Sequence, residues 1–128
     1  MINPITYDKI VERNKQIFSA LKEDNEMAGY VLDGGTLHHI VITSSYYNCF
    51  IKKAAWYLHS LSAFAPFVQG NKRTARRVST DILMMGKQRY ELSLDDDDVT
   101  KYIIEIGNSE HDFSEVESWL RENITEII

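Results

Sequence analysis

Ala65-Pro66-Phe67-Val68-Gln69-Gly70-Asn71-Lys72-Arg73-Thr74-Ala75 is the stretch on which the fold turns, because it ends one helix, makes a loop and begins another. A proline disfavours the α conformation in the residue before it and brings no N–H to a helical ladder, so the preceding helix must stop ahead of Pro66. The loop therefore spans about Ala65 to Gly70, and a new helix starts near Asn71. Upstream, Tyr47, Phe50, Ile51, Ala54, Ala55, Leu58 and Leu61 recur at i, i+3, i+4 and i+7, the apolar stripe of a central buried helix. Downstream, Ala75, Val78, Ile82, Leu83 and Met85 face inward until Gly86, the expected left-handed cap.

Further out the pattern stays helical. Asp95 to Asp98 fit a first helical turn, where carboxylates offset the positive end of the dipole, and Val99, Tyr102, Ile103 and Ile106 form the apolar side. Four consecutive aspartates do not alternate ligands as a calcium loop does. Ser114 with Glu117 reads as a capping box opening a last helix whose inward face is Val116, Trp119, Leu120, Ile124 and Ile127. Towards the N-terminus, Ile10, Val11, Ile17, Phe18 and Leu21 predict a first amphipathic helix that fades at Asn25. Between Met27 and Ser45 the chain reads as irregular, with Tyr30-Val31-Leu32 and Ile40-Val41-Ile42 as short strands joined through Gly34-Gly35.

With 128 residues, 44% of them hydrophobic, the chain is sized for one all-α domain over residues 1–128, able to bury a core without metal or disulfide staples. Its single cysteine, Cys49, cannot pair within the chain, no basic-then-apolar leader is present, and no apolar run approaches a bilayer span. A cytoplasmic protein with no membrane partner is the expectation. A formal charge of −5 argues against nucleic-acid binding by the surface as a whole. Any anion site must be local, and Lys72, Arg73, Arg76 and Arg77 mark it.

The first amides of a helix lack intrahelical acceptors and point outward together at the positive end of the dipole, which makes the start of the Asn71 helix a natural phosphate seat. Gly70 allows close approach. Arg73 supplies a planar fork for phosphate oxygens, Arg76 three residues on shares its helical side, and Lys72 points elsewhere as a point charge.

Residues 65–75 resemble the signature of the Fic/Doc family, His-Pro-Phe-x-Asp/Glu-Gly-Asn-x-Arg, with the Lys-Arg-Thr-Ala continuation typical of the death-on-curing (Doc) branch. The resemblance extends from about Phe50 to the C-terminal Val116-to-Asn123 stretch, while the first 45 or so residues are similar only in outline. It implies a compact bundle of about six helices with the motif loop between two central ones. It also implies transfer of part of a nucleoside triphosphate, usually ATP with Mg²⁺, to a protein hydroxyl. By position, Gly70 and Asn71 would form the anion nest, Arg73 would clamp phosphates and Phe67 would anchor the loop. Lysine at position 72 goes with the Doc branch, in which the terminal phosphoryl group is transferred to a translation factor. Doc-like proteins are toxins neutralised by a small antitoxin.

Two positions depart from that pattern. Ala65 stands where the family has the histidine that takes the proton of the attacking hydroxyl, and a positioned base contributes roughly 10²–10⁴ in rate, about 3 to 5 kcal/mol of barrier. Gln69 stands where the family has the magnesium-binding carboxylate, and a neutral amide is a poorer ligand for a hard cation. Three origins are compatible: natural loss, an altered chemistry, or a replacement that lets a harmful protein be produced. Of the four imidazoles, His59 is read first as a satisfied, partly buried residue and His38 and His39 as surface residues, while His111 is too far along the chain to place. Ser118-Trp119-Leu120-Arg121-Glu122-Asn123 also fits the pattern by which some family members inhibit themselves, a glutamate pairing with a phosphate-binding arginine. Alternatives to a weakened transferase are a non-catalytic nucleotide- or partner-binding module and a nucleic-acid binder using Lys72 to Arg77.

Overall fold

The computed structural model describes residues 5–20 and 27–128. Among these it contains α1 (Tyr7–Ala20), α2 (Gly34–Ser44), α3 (Phe50–Phe64), α4 (Asn71–Leu83), β1 (Arg89–Leu92), α5 (Asp96–Gly107), α6 (Phe113–Glu122) and β2 (Ile124–Ile127). The six helices and one two-stranded ribbon make the all-α bundle of about six helices that the resemblance implies; the periodicity by itself predicts five of them and misses α2. No helix among the described residues is long and apolar enough to cross a membrane.

α3 is the axis of the bundle. Lys53 to Leu58 and Ser60 to Ser62 are all buried, which goes beyond a stripe and is the pattern of a helix enclosed on every side. Ala54 and Ala55 keep its surface low where neighbours cross, and α4, α5, α6 and α2 all pack against it. Lys53 is the one charged side chain among the described buried residues, and desolvation lowers its pKa. Tyr47, placed in the sequence stripe, lies before the helix in the turn, where its ring packs 5.4 Å from Phe113 and 6.1 Å from Trp56.

Four local expectations are corrected. Ile40-Val41-Ile42 is helical, not a strand, because the Asp33 side chain accepts the Thr36 N–H at 3.0 Å and starts α2, which then buries Leu37, Ile40 and Ser44. Gly86 is not a left-handed cap, since α4 ends at Leu83 with Met84 in a right-handed cap. Gly86 is needed for space, a Cβ there meeting the Phe50 ring at 3.0 Å. The last capping box is Asp112 with Glu115 rather than Ser114 with Glu117. Ile124 and Ile127 leave α6 altogether and form β2, antiparallel to β1 with Leu92 opposite Ile124 and Arg89 opposite Ile127. The expected end of the first helix, at Leu21 to Asn25, lies outside the described residues.

Other readings hold. Asp95 caps α5, with Asp96 to Asp98 in its first turn and Val99, Ile103 and Ile106 buried. Between α5 and α6, Trp119 stacks on Tyr102 at 4.0 Å and Tyr102 on His111 at 4.4 Å. Nε2 of His111 lies 2.8 Å from the Glu105 carboxylate, and this hydrogen bond, opposed by burial and helped by Glu115, raises the imidazole pKa. A raised folded pKa stabilises the protein fully below the unfolded value of about 6.5, and the gain is lost as pH rises through the folded value. The stability advantage of the wild type over His111→Gln is therefore expected to be full below about pH 6.5 and to shrink as pH rises above it in urea titrations. An advantage independent of pH would disprove the ion-pair account.

Candidate functional site

α3 ends in an unusual way. Ala65, its C-cap, has φ 47° and ψ 62°, a left-handed conformation at a residue that is not glycine, and it is solvent-exposed. From there the chain crosses to α4 through Pro66 and Phe67, both buried, Phe67 with only 1% of its surface exposed. Phe67 anchors the loop in the core as expected. Asn71 closes the loop on itself: its Oδ1 accepts the Phe67 N–H at 2.9 Å and its Nδ2 donates to the Phe67 carbonyl at 3.0 Å. The Asn71 side chain is thus spent on loop geometry, which leaves its backbone amide for a ligand.

Two other segments hold the loop, and neither was legible from the motif. Asn14 on α1 is completely buried; its Nδ2 donates to the Gln69 carbonyl and to Thr74 Oγ1, both at 3.0 Å, while its Oδ1 accepts the Gly29 N–H at 2.7 Å. The only sequence signal was a polar residue at i+4 from Ile10 and i−4 from Phe18, on an otherwise apolar face. Tyr30 to Leu32, extended as expected but paired with the loop rather than with a hairpin partner, bridges Val31 to Phe67. Leu32 and Asp33 donate to the Pro66 carbonyl at 2.8 and 3.0 Å, and Val68 donates to Tyr30 at 3.1 Å.

Gly70 is the N-cap of α4 with φ 78°, and no side chain caps the helix. A Cβ there would lie 3.0 Å from the Phe18 ring and 3.1 Å from Asn14 Nδ2, so both backbone conformation and space demand glycine. The first turn beyond it opens into a cavity of about 440 Å³ lined by Phe18, Gln69, Gly70, Asn71, Lys72 and Arg73. Uncapped amides, the positive end of the α4 dipole and two cations meet there.

The placement of the basic residues differs from the expectation. Arg76 binds Asp96 of α5 and does not line the cavity, although its spacing from Arg73 put both on one side. Arg77 reaches Asp81 at 3.4 Å, and Asp81 in turn takes Arg13 of α1 at 2.7 Å. Lys72, read as pointing elsewhere, does line the cavity. Among the described residues Lys72 and Arg73 carry no carboxylate partner. The reason is tertiary: α5 brings Asp96 to Arg76 and leaves the first turn of α4 its charge.

Among the described residues that line the cavity there is no carboxylate, and Gln69 offers at most a neutral amide. Among the described residues no group of three or more His, Cys, Asp or Glu is arranged to hold a metal ion. These described residues offer the donors that a polyphosphate takes and, among themselves, no carboxylate for a divalent cation.

The other imidazoles stand apart from this cavity. His59 lines a second one of about 400 Å³ with Phe64, Glu110, His111 and Asp112; burial lowers its pKa, Asp112 opposing, and its buried Nδ1 has no partner. His39 lines a third with Asp33, Thr36 and Phe64, and His38 is exposed. None of these three rings makes a hydrogen bond to the motif loop. The Ser118 to Asn123 stretch is the C-terminal part of α6, in which Arg121 pairs with Glu117 at 2.9 Å and Asn123 donates to the Trp119 carbonyl. Glu122 does not pair with Arg73, so the inhibitory contact is not formed.

The family model described as Fic/DOC family matches residues 4–83. The match begins in the N-terminal stretch that resembled the family only in outline and ends with α4, so it corrects the extent read from the motif while including all of the loop. No curated protein matches the chain.

Proposed function

The chain belongs to the Fic/DOC family, and we propose that it is a Doc-branch phosphotransferase, the toxin of a toxin and antitoxin pair, acting in the cytoplasm and nearly inactive with Ala65. ATP would supply the group transferred, and a hydroxyl of a protein target, a translation factor being the type expected, would receive it. The observation that carries this reading is the open first turn of α4, where Lys72 and Arg73 stand over uncapped amides with no carboxylate partner among the described residues. Lysine at position 72 is what favours the Doc branch and terminal-phosphoryl transfer over nucleotidyl transfer.

Each residue then has a physical role. The amides of Asn71 to Arg73 hold phosphate oxygens, and Arg73 and Lys72 stabilise negative charge that grows on the transferred group. Asn71 and Asn14 keep the loop in one geometry, so that little rearrangement is needed when the ligand binds. The acceptor oxygen forms a bond to phosphorus, the bond to the leaving oxygen breaks, and the acceptor proton must go to a base. No side chain at position 65 takes it.

Binding and transfer are separable. The wild-type protein is expected to bind ATP, and Arg73→Ala to weaken that binding by roughly 10- to 100-fold, as expected for losing a charge-assisted bidentate contact. Isothermal titration calorimetry at low salt checks this, and unchanged affinity in Arg73→Ala would overturn the phosphate assignment. A second reading, a non-catalytic nucleotide- or partner-binding module, is favoured by Ala65 and Gln69 standing where the family has its histidine and its carboxylate. Transfer after a histidine is restored at position 65 decides between them.

A further inference from the structure

Lys72 is the second residue of α4, and what holds its side chain is α5. Its Cε lies 2.7 Å, and its Nζ 3.1 Å, from the point where a Cβ on Gly107 would stand. Any residue other than glycine would push the lysine stem away. Gly107 does not serve a turn, because it is the last helical residue of α5 and its φ is not positive. Its lack of a side chain therefore answers a need for close approach. The lysine stem ends at the C-terminal end of α5, where the helix dipole favours an ammonium group. The Ser62 carbonyl of α3 lies 3.6 Å from the same point, so the ends of three helices meet there.

From this packing we infer that Gly107 is a positioning residue: the hollow it leaves on α5 seats Lys72 at the rim of the phosphate cavity, as a second cation beside Arg73. The seat orders a flexible side chain before a ligand arrives, so less rotamer freedom is lost on binding. It also gives the part of the chain beyond the family match a role in the site, since α5 both supplies Gly107 and draws Arg76 aside through Asp96. The inference rests on the polyphosphate reading of the cavity.

The test is a double-mutant cycle on ATP affinity, measured by calorimetry for the wild type, Gly107→Ala, Lys72→Ala and the double variant, with thermal midpoints recorded in parallel. Gly107→Ala should fold at least as stably as the wild type, because alanine is a better helix former and only the far end of a flexible side chain has to move. It should weaken ATP binding roughly five- to tenfold, most of the effect of Lys72→Ala. In the Lys72→Ala background it should add nothing. Affinity in Gly107→Ala equal to or tighter than the wild type, or an equal loss in both backgrounds, would overturn the inference while leaving the cavity reading intact. Absence of ATP binding by the wild type would instead remove the cavity reading and the inference with it.

Discussion

Ala65→His is expected to raise the rate of label transfer from γ-labelled ATP to a protein target by roughly 10²–10⁴, the contribution of a positioned general base. The backbone does not oppose the change. Ala65 already adopts a left-handed conformation that costs an ordinary L-residue roughly 1–2 kcal/mol, and histidine is among the residues enriched there. The position is exposed, so an imidazole has room. Because the base must be neutral, the restored rate should rise with pH through a value near the ordinary imidazole pKa, about 6.5. Expression of the variant should also arrest growth. Gln69 is unchanged in this variant, which places the gain towards the lower end of the range if a carboxylate-held metal normally assists. Label from γ- but not α-labelled ATP supports phosphoryl transfer and the Doc branch; the opposite pattern moves the chain to a nucleotidyl-transferring branch. ATP binding without any transfer would leave the non-catalytic module as the better account.

The second large effect is structural. Asn14→Ala should cost about 2–4 kcal/mol of stability in chemical denaturation, because one buried amide serves Gln69, Thr74 and Gly29 and its loss strands buried polar partners. The damage should not stop at stability, since the Gln69 carbonyl is held by Asn14 and the Gly70 turn packs against it. ATP affinity should fall in the same variant under conditions where it is still fully folded. Thr74→Val gives the comparison: it removes a single bond from the same network and should cost about 1 kcal/mol. A loss below about 0.5 kcal/mol for Asn14→Ala would show that α1 merely lies beside the loop.

Much of this molecule is written in short-range patterns. The stop at Pro66, the helix from Asn71, the stripe of α3 and the carboxylate-rich start of α5 all depend on residues within a turn or two of one another, and each is found where expected. The errors share a cause. Gly34-Gly35 reads as a hairpin turn only if the Asp33 cap is overlooked, and Ile124 to Ile127 continues a helical period while pairing with β1 some thirty residues earlier in the chain. Periodicity alone does not distinguish a helix end from a strand when β-branched residues follow.

The sequence by itself determined where α3 stops, the loop that carries Ala65 and the glycine at the start of α4, because a proline, a glycine and a helix start act through local chemistry. Only the tertiary structure decided which cations line the cavity beside that loop. Charge spacing paired Arg73 with Arg76, but Asp96 pairs with Arg76 and Gly107 leaves room for the Lys72 side chain, both from α5. The physical reason is that helix-forming signals act over three or four residues, whereas an ion pair or a close approach depends on which surfaces the packed core brings face to face.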